Sequence, residues 1–160
     1  MTAQQGIAEI SAQELRTRKA GSDESAWSDV LNDAEIRNTA TYVRRRGRLM
    51  MLALNPTTYA RLSGLVDGAN APAPQRIVSP PRPVNGSERL DLSHITDPNA
   101  RVIMDSRLAF RELAQIQPRV ENGWHVTVVR WDRPAAVFVP PSWAPQHALE
   151  AALEMAHSGD

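Results

Sequence analysis

The sequence predicts an α+β protein made of two copies of one unit: helix, antiparallel β-hairpin, helix. Three observations predict it. Residues 41–58 align with residues 126–143 at a constant offset of 85, so that Val43 meets Val128, Arg45 meets Arg130, Arg48 meets Arg133, Leu52 meets Val137, Leu54 meets Val139 and Pro56 meets Pro141. In each copy two β-rich apolar runs flank a short polar turn, which is the pattern of a hairpin. Between the copies, Pro72, Pro74, Pro80, Pro81 and Pro83 remove backbone donors and bias the chain toward extended polyproline II, as in a semi-rigid linker or a surface-hugging crossover. The organisation expected is a first module over 1–66, a Pro-rich linker or crossover over 67–100, and a second module with a short acidic C-terminal helix over 101–160.

Taken in order, Trp27, Val30, Leu31 and Ala34 keep helical spacing and predict a helix ending near Asn38. The first hairpin follows, with strands over 41–44 and 49–54, a turn over 45–48, and a stop at Pro56. A helix is expected over 57–65. In the second copy Leu113, Ile116 and Val120 recur at three and four residues, and Asn122-Gly123 supplies a left-handed C-terminal stop. Pro118 interrupts that pattern, and an interior proline costs about 3 kcal/mol, so the helix is expected to end or kink there. The second hairpin has strands over 125–129 and 135–139 around a turn over 130–133, closed by Pro140 and Pro141. A last helix over 146–156 presents Leu149, Ala152 and Leu153 on one face.

Composition narrows the chemistry. The 160 residues contain no Cys, which excludes disulfides, thiolate nucleophiles and Cys-ligated zinc, and His94, His125, His147 and His157 are too far apart to form a local ligand pair. No metal or other cofactor is expected. No stretch approaches the roughly 20 apolar residues that span a bilayer, and the N-terminus lacks a basic region leading into an apolar one, so a soluble cytoplasmic protein is expected. Ser106 beside Asp105, with His94 or His125, assembles on paper into a hydrolytic triad, but no nucleophile elbow or oxyanion loop accompanies it. GxGxxG and GxxxxGK[ST] are also missing, so the chain reads as a non-enzyme. Met50 and Met51 fit a strand facing a partner sheet. Trp27, Trp124 and Trp143 fit the core or an interface, and Trp131, at a hairpin tip, is expected to pack within the chain.

The 18 basic and 18 acidic residues cancel only in total. Residues 1–35 sum to −4 and residues 36–66 to +6, with Arg37, Arg44, Arg45, Arg46, Arg48 and Arg61 unopposed by any acid. Residues 67–100 sum to −1, residues 101–145 to +2 and residues 146–160 to −3. An unopposed arginine run is the footprint of a polyanion partner, or else a solvated charged loop.

At these residues the sequence resembles the Phd/YefM family of DNA-binding antitoxins. Val128-Val-Arg-Trp-Asp-Arg-Pro-Ala-Ala-Val-Phe-Val is similar to that family's hairpin, as is Val43-Arg-Arg-Arg-Gly-Arg-Leu, and Ile10-Ser-Ala-Gln-Glu-Leu-Arg is similar to its helix-opening signature, with Arg16 on the signature arginine. Two departures stand out: the first copy has about nine extra residues over 17–25, and Phe110 takes the signature position in the second, with Arg107 one helical turn earlier. The resemblance implies two Phd/YefM-like modules whose hairpins form a sheet as an intrachain pseudo-dimer, or alternatively a homodimer carrying four copies. It implies a repressor contacting double-stranded operator DNA through Arg16, Arg44, Arg45, Arg46, Arg48, Arg107, Arg130 and Arg133, with the two-fold of the pseudo-dimer matched to a palindrome or near-palindrome. It also implies a cognate toxin as a possible partner, although only about fifteen residues follow Pro145. The competing expectation is a protein-interaction module, a toxin neutraliser or a phage or plasmid accessory factor, that does not bind DNA.

Overall fold

The computed structural model describes residues 6–16, 26–67, 71–77 and 92–158. Strand β1 (Ile7–Ser11) runs directly into a single-turn helix, α1 (Ala12–Leu15), at a capping box: the Ser11 hydroxyl accepts the N–H of Glu14 at 3.0 Å and the Glu14 carboxylate accepts the N–H of Ser11. Helix α2 (Ala26–Arg37) ends where expected, with Asn38 in the left-handed region. The first hairpin joins β2 (Ala40–Arg45) to β3 (Arg48–Leu54) through Arg46-Gly47, both at positive φ, the geometry of a tight type I′ turn. Asn55 then caps α3 (Pro56–Val66), with proline at its first position.

The stretch read as linker contributes structure of its own. Gln75–Ile77 forms a short strand, β4, and Leu92 and Ala100 are buried in the core. Pro80, Pro81 and Pro83 fall outside the described residues. Strand β5 (Arg101–Asp105) leads into α4 (Ser106–Arg111), capped by Asp105, and α5 (Leu113–Glu121) follows after a break at Glu112. The helix neither ends nor breaks at Pro118. Pro118 and Ala114, whose carbonyl would have received its missing N–H, are both exposed, so water can serve that carbonyl. The second hairpin joins β6 (His125–Arg130) to β7 (Arg133–Val139) through Trp131-Asp132, again both at positive φ. A short 3₁₀ turn (Pro141–Trp143) and α6 (Gln146–Ser158) complete the chain.

These elements make a mixed α/β structure with six α-helices and a seven-stranded sheet in the order β1-β2-β3-β7-β6-β5-β4 among the described residues. The hairpins are antiparallel, but β1 on β2, β5 on β6 and β4 on β5 are parallel. The sheet is therefore wider and more mixed than the hairpins alone predicted. The repeat is visible in its register. Val43 pairs with Met51 and Arg44 with Leu49, leaving Met50 in a bulge; 85 residues later Val128 pairs with Ala136 and Val129 with Pro134, leaving Ala135 in the same bulge. At the centre Ala53 pairs with Phe138, its own equivalent, and Leu52 with Val139 and Leu54 with Val137 exchange places about that pair. Parallel strands β1 and β5 correspond at an offset of 94, nine more than the hairpins, which equals the length of the extra segment in the first copy; that segment lies outside the described residues.

The sheet is buried on both faces. On one face α1, α2, α4 and α5 cover Val43, Met51, Ala53, Met104, Val128 and Phe138. On the other α3 and α6 cover Leu52, Leu54, Val137 and Val139, with Leu149, Ala152 and Leu153 of α6 turned inward as expected. The helices cross between copies: α2 lies mainly on β7 and α5 mainly on β3. Met50 and Met51 are buried beneath these helices. No helix among the described residues is long and apolar enough to cross a membrane.

Candidate nucleic-acid interface

The first hairpin tip clusters exposed positive charge at Arg45, Arg46 and Arg48. Arg45 and Arg48 form the last pair of the β2–β3 ladder, and Arg46 is in the turn itself. Arg44 is tied down: its Nε and Nη2 donate to the two carboxylate oxygens of Glu9 at 3.0 and 3.2 Å, and its Nη1 donates to the Gly47 carbonyl at 3.1 Å. That guanidinium holds the Glu9 carboxyl below the usual range, first through the hydrogen bond and then through its charge. Arg48 reaches across to α5 and pairs with Glu121 at 2.8 Å. Arg16 at the end of α1, Arg45 and Arg46 are exposed and make no ion pair or hydrogen bond through their side chains to any other described residue. Arg16, Arg44, Arg45 and Arg46 line one groove of about 600 Å³, closed on its far wall by Gln117 and Glu121 of α5. Gln117 is buried, and its Nε2 has no partner among the described residues.

The second tip differs in kind. Arg130 is only 12% exposed and donates to Glu35 at 2.8 Å, while Arg133 Nε donates to the other oxygen of the same carboxylate. Burial works against the Glu35 charge, but the hydrogen bonds and charges of the two arginines prevail and hold its pKa below normal. Trp131 is 74% exposed instead of packing within the chain, with the Arg130 guanidinium 4.7 Å from its ring centroid. Phe110, at the position corresponding to Arg16, is half-buried against Trp27. Arg107 is exposed on α4, and its side chain has no hydrogen bond or ion pair to another described residue.

The remaining arginines of the 36–66 run disperse. Arg37 pairs with Asp33 within α2, and Arg61 is on α3, across the sheet from the groove. The paper triad does not assemble: Ser106 accepts the indole N–H of Trp27 at 3.1 Å, Asp105 caps α4, and His94 is exposed elsewhere.

A second polar group, which no local pattern announced, ties the copies together on the opposite face. Asp67 accepts from Trp143 Nε1 at 2.9 Å, from Ser63 at 3.1 Å and from Arg101. Burial opposes the Asp67 charge, and these donors outweigh it, so its carboxyl titrates below normal. Tyr59 Oη is 2.8 Å from His125 Nδ1. Burial pushes the Tyr59 phenol up to about 12 and pulls His125 down to about 4, the latter helped by the charge of Arg101. The members span residues 59–143, so sequence spacing gave no sign of them. Glu35 was missed for the same reason, being 95 residues from Arg130.

No family model, no curated protein and no solved structure matches this chain.

Proposed function

We propose that the chain is a sequence-specific DNA-binding repressor, built as an intrachain pseudo-dimer of two Phd/YefM-like modules, which acts by occluding a promoter. The observation that carries this reading is the groove lined by Arg16, Arg44, Arg45 and Arg46, three of them free of intramolecular partners among the described residues. Arginine forks bind phosphate oxygens and guanine edges bidentately, and a tight hairpin tip is narrow enough to approach a DNA groove. Arg48 is tied to Glu121 and so is a weaker candidate for contact than Arg45 or Arg46. The expected result is a gel shift of the duplex upstream of the chain's own gene that is strong at low salt, fades as salt rises, and is weakened by Arg45→Ala and Arg46→Ala. No shift at low salt would overturn the reading.

A second reading, a protein-interaction module such as a toxin neutraliser, is favoured by one observation: Trp131 and Ile36 are 74% and 71% exposed near the second hairpin, where arginine charge is already neutralised. Leu149, Ala152 and Leu153 of the last helix are buried in the core, so that apolar face is already covered within the chain. Pull-down of the neighbouring gene product, lost with Trp131→Ala, would support this second reading.

A further inference from the structure

Resting on the DNA-binding reading above, we infer that DNA is gripped by the first hairpin alone, and that Glu35 is the specificity-determining residue that silences the second, so the sequence recognised is not a palindrome.

The two hairpins are equivalent in register, so their chemistry can be compared position by position. The buried positions of α2, Trp27, Val30, Leu31 and Ala34, recur in α5 as Leu113, Ile116, Gln117 and Val120 at an offset of 86, which makes Glu35 and Glu121 equivalent. Each reaches the hairpin of the other copy. Glu121 takes Arg48 and leaves Arg45 exposed; Glu35 takes both Arg133 and Arg130, the counterparts of Arg48 and Arg45. Three other changes point the same way. Arg16 becomes Phe110, Arg46 becomes Trp131, and Gly47 becomes Asp132, whose carboxylate would meet phosphate with like charge.

Spacing sharpens the contrast. From Arg48 to Ala53 and from Phe138 back to Arg133 the pairing runs ten residues along the central strands, so the two tips are roughly 30 Å apart at strand rise. That approaches the separation of half-sites one DNA turn apart, about 34 Å. The scaffold thus has the spacing of a symmetric two-site reader, but among the described residues only the first hairpin tip presents arginines without an intramolecular partner.

Selection from a randomised duplex library, followed by salt titration and footprinting on the selected DNA, tests the inference. A consensus without two-fold symmetry is expected. Arg45→Ala should flatten the log K against log salt slope by about one, whereas Arg133→Ala should leave it unchanged. Glu35→Gln, checked by thermal melting to be folded at the assay temperature, should steepen the slope by about one to two and extend the footprint toward the second tip. Trp131→Arg, which restores an arginine at the turn and leaves Glu35 in place although it removes the ring over which Arg130 lies, should also steepen it. A palindromic consensus, or equal loss of slope in Arg45→Ala and Arg133→Ala, would overturn the inference while leaving DNA binding intact. Failure of the unaltered protein to select any DNA would overturn the DNA-binding reading itself.

Discussion

At the scale of single residues, partner and burial decide which charges are available and which hold the fold together. Glu35→Ala strands Arg130, which is 12% exposed and already carries an unpartnered Nε, so a loss of about 3 kcal/mol is expected in urea unfolding. Glu121→Ala releases Arg48, which is 71% exposed, and is expected to cost less than about 1 kcal/mol. Equal costs in the two variants would contradict the contrast in burial. His125 makes a pH-dependent contribution. An ordinary histidine titrates near 6.5 and His125 near 4, so between those values the unfolded chain binds a proton that the folded chain does not. Its contribution is complete above pH 6.5, falls as pH drops toward 4, and is gone below that, a total of about 3 kcal/mol. His125→Gln, which cannot titrate, should flatten stability across most of that window, leaving the carboxylate titrations of Glu35, Glu9 and Asp67, which set in at its acid end. A steep fall persisting in the variant would assign the effect elsewhere. Arg44 to Arg48 was legible as a basic tip because those residues are contiguous. Which arginines remain free was not, because their partners Glu9, Glu121 and Glu35 come from elements distant in sequence.

At the scale of elements, the hairpins and the helices flanking them were legible because their signals are local: a β-rich run, a two-residue turn, a second run and a proline stop. The outer strands were not. β1, β5 and β4 are three to five residues long and pair in parallel with strands twenty or more residues away, so nothing adjacent in sequence marks them. The alternation of buried Val102 and Met104 in β5 was the one available hint. Pro118 does not end the helix, because propensity ignores exposure and both Pro118 and Ala114 lie at exposed positions. The left-handed stop after α5 was read correctly, and the structure adds a second constraint to it. Gly123 has φ +138, and a Cβ there would lie 2.4 Å from the Pro98 carbonyl oxygen. Gly123→Ala is therefore expected to destabilise by about 2 kcal/mol or more. Gly64, inside α3 with open space where a Cβ would go, should behave oppositely, Gly64→Ala stabilising by about 0.5 to 1 kcal/mol. Thermal melts of the two variants should move in opposite directions.

At the scale of the whole molecule, the two copies lean on each other for their cores, which bears on whether either can stand alone. The β3–β7 ladder runs through the buried middle of the sheet, α2 and α5 each cover the other copy's central strand, and Asp67, Tyr59 and Glu35 bond residues of the second half. A fragment ending at Ile77 would expose β3 as an apolar edge, with Met51, Leu52, Ala53 and Leu54 all fully buried in the whole chain. It would also leave β4 without the strand it pairs with. The exchanged helices and shared ladder argue for one cooperative body. Light scattering should then give a monomer near 17.7 kDa. Cutting the chain between Ile77 and Leu92 and co-expressing the pieces should yield a one-to-one complex with a single melting transition, while each piece alone shows no cooperative melt. Two pieces that melt cooperatively as separate monomers would mean that the shared ladder is not what holds the copies folded.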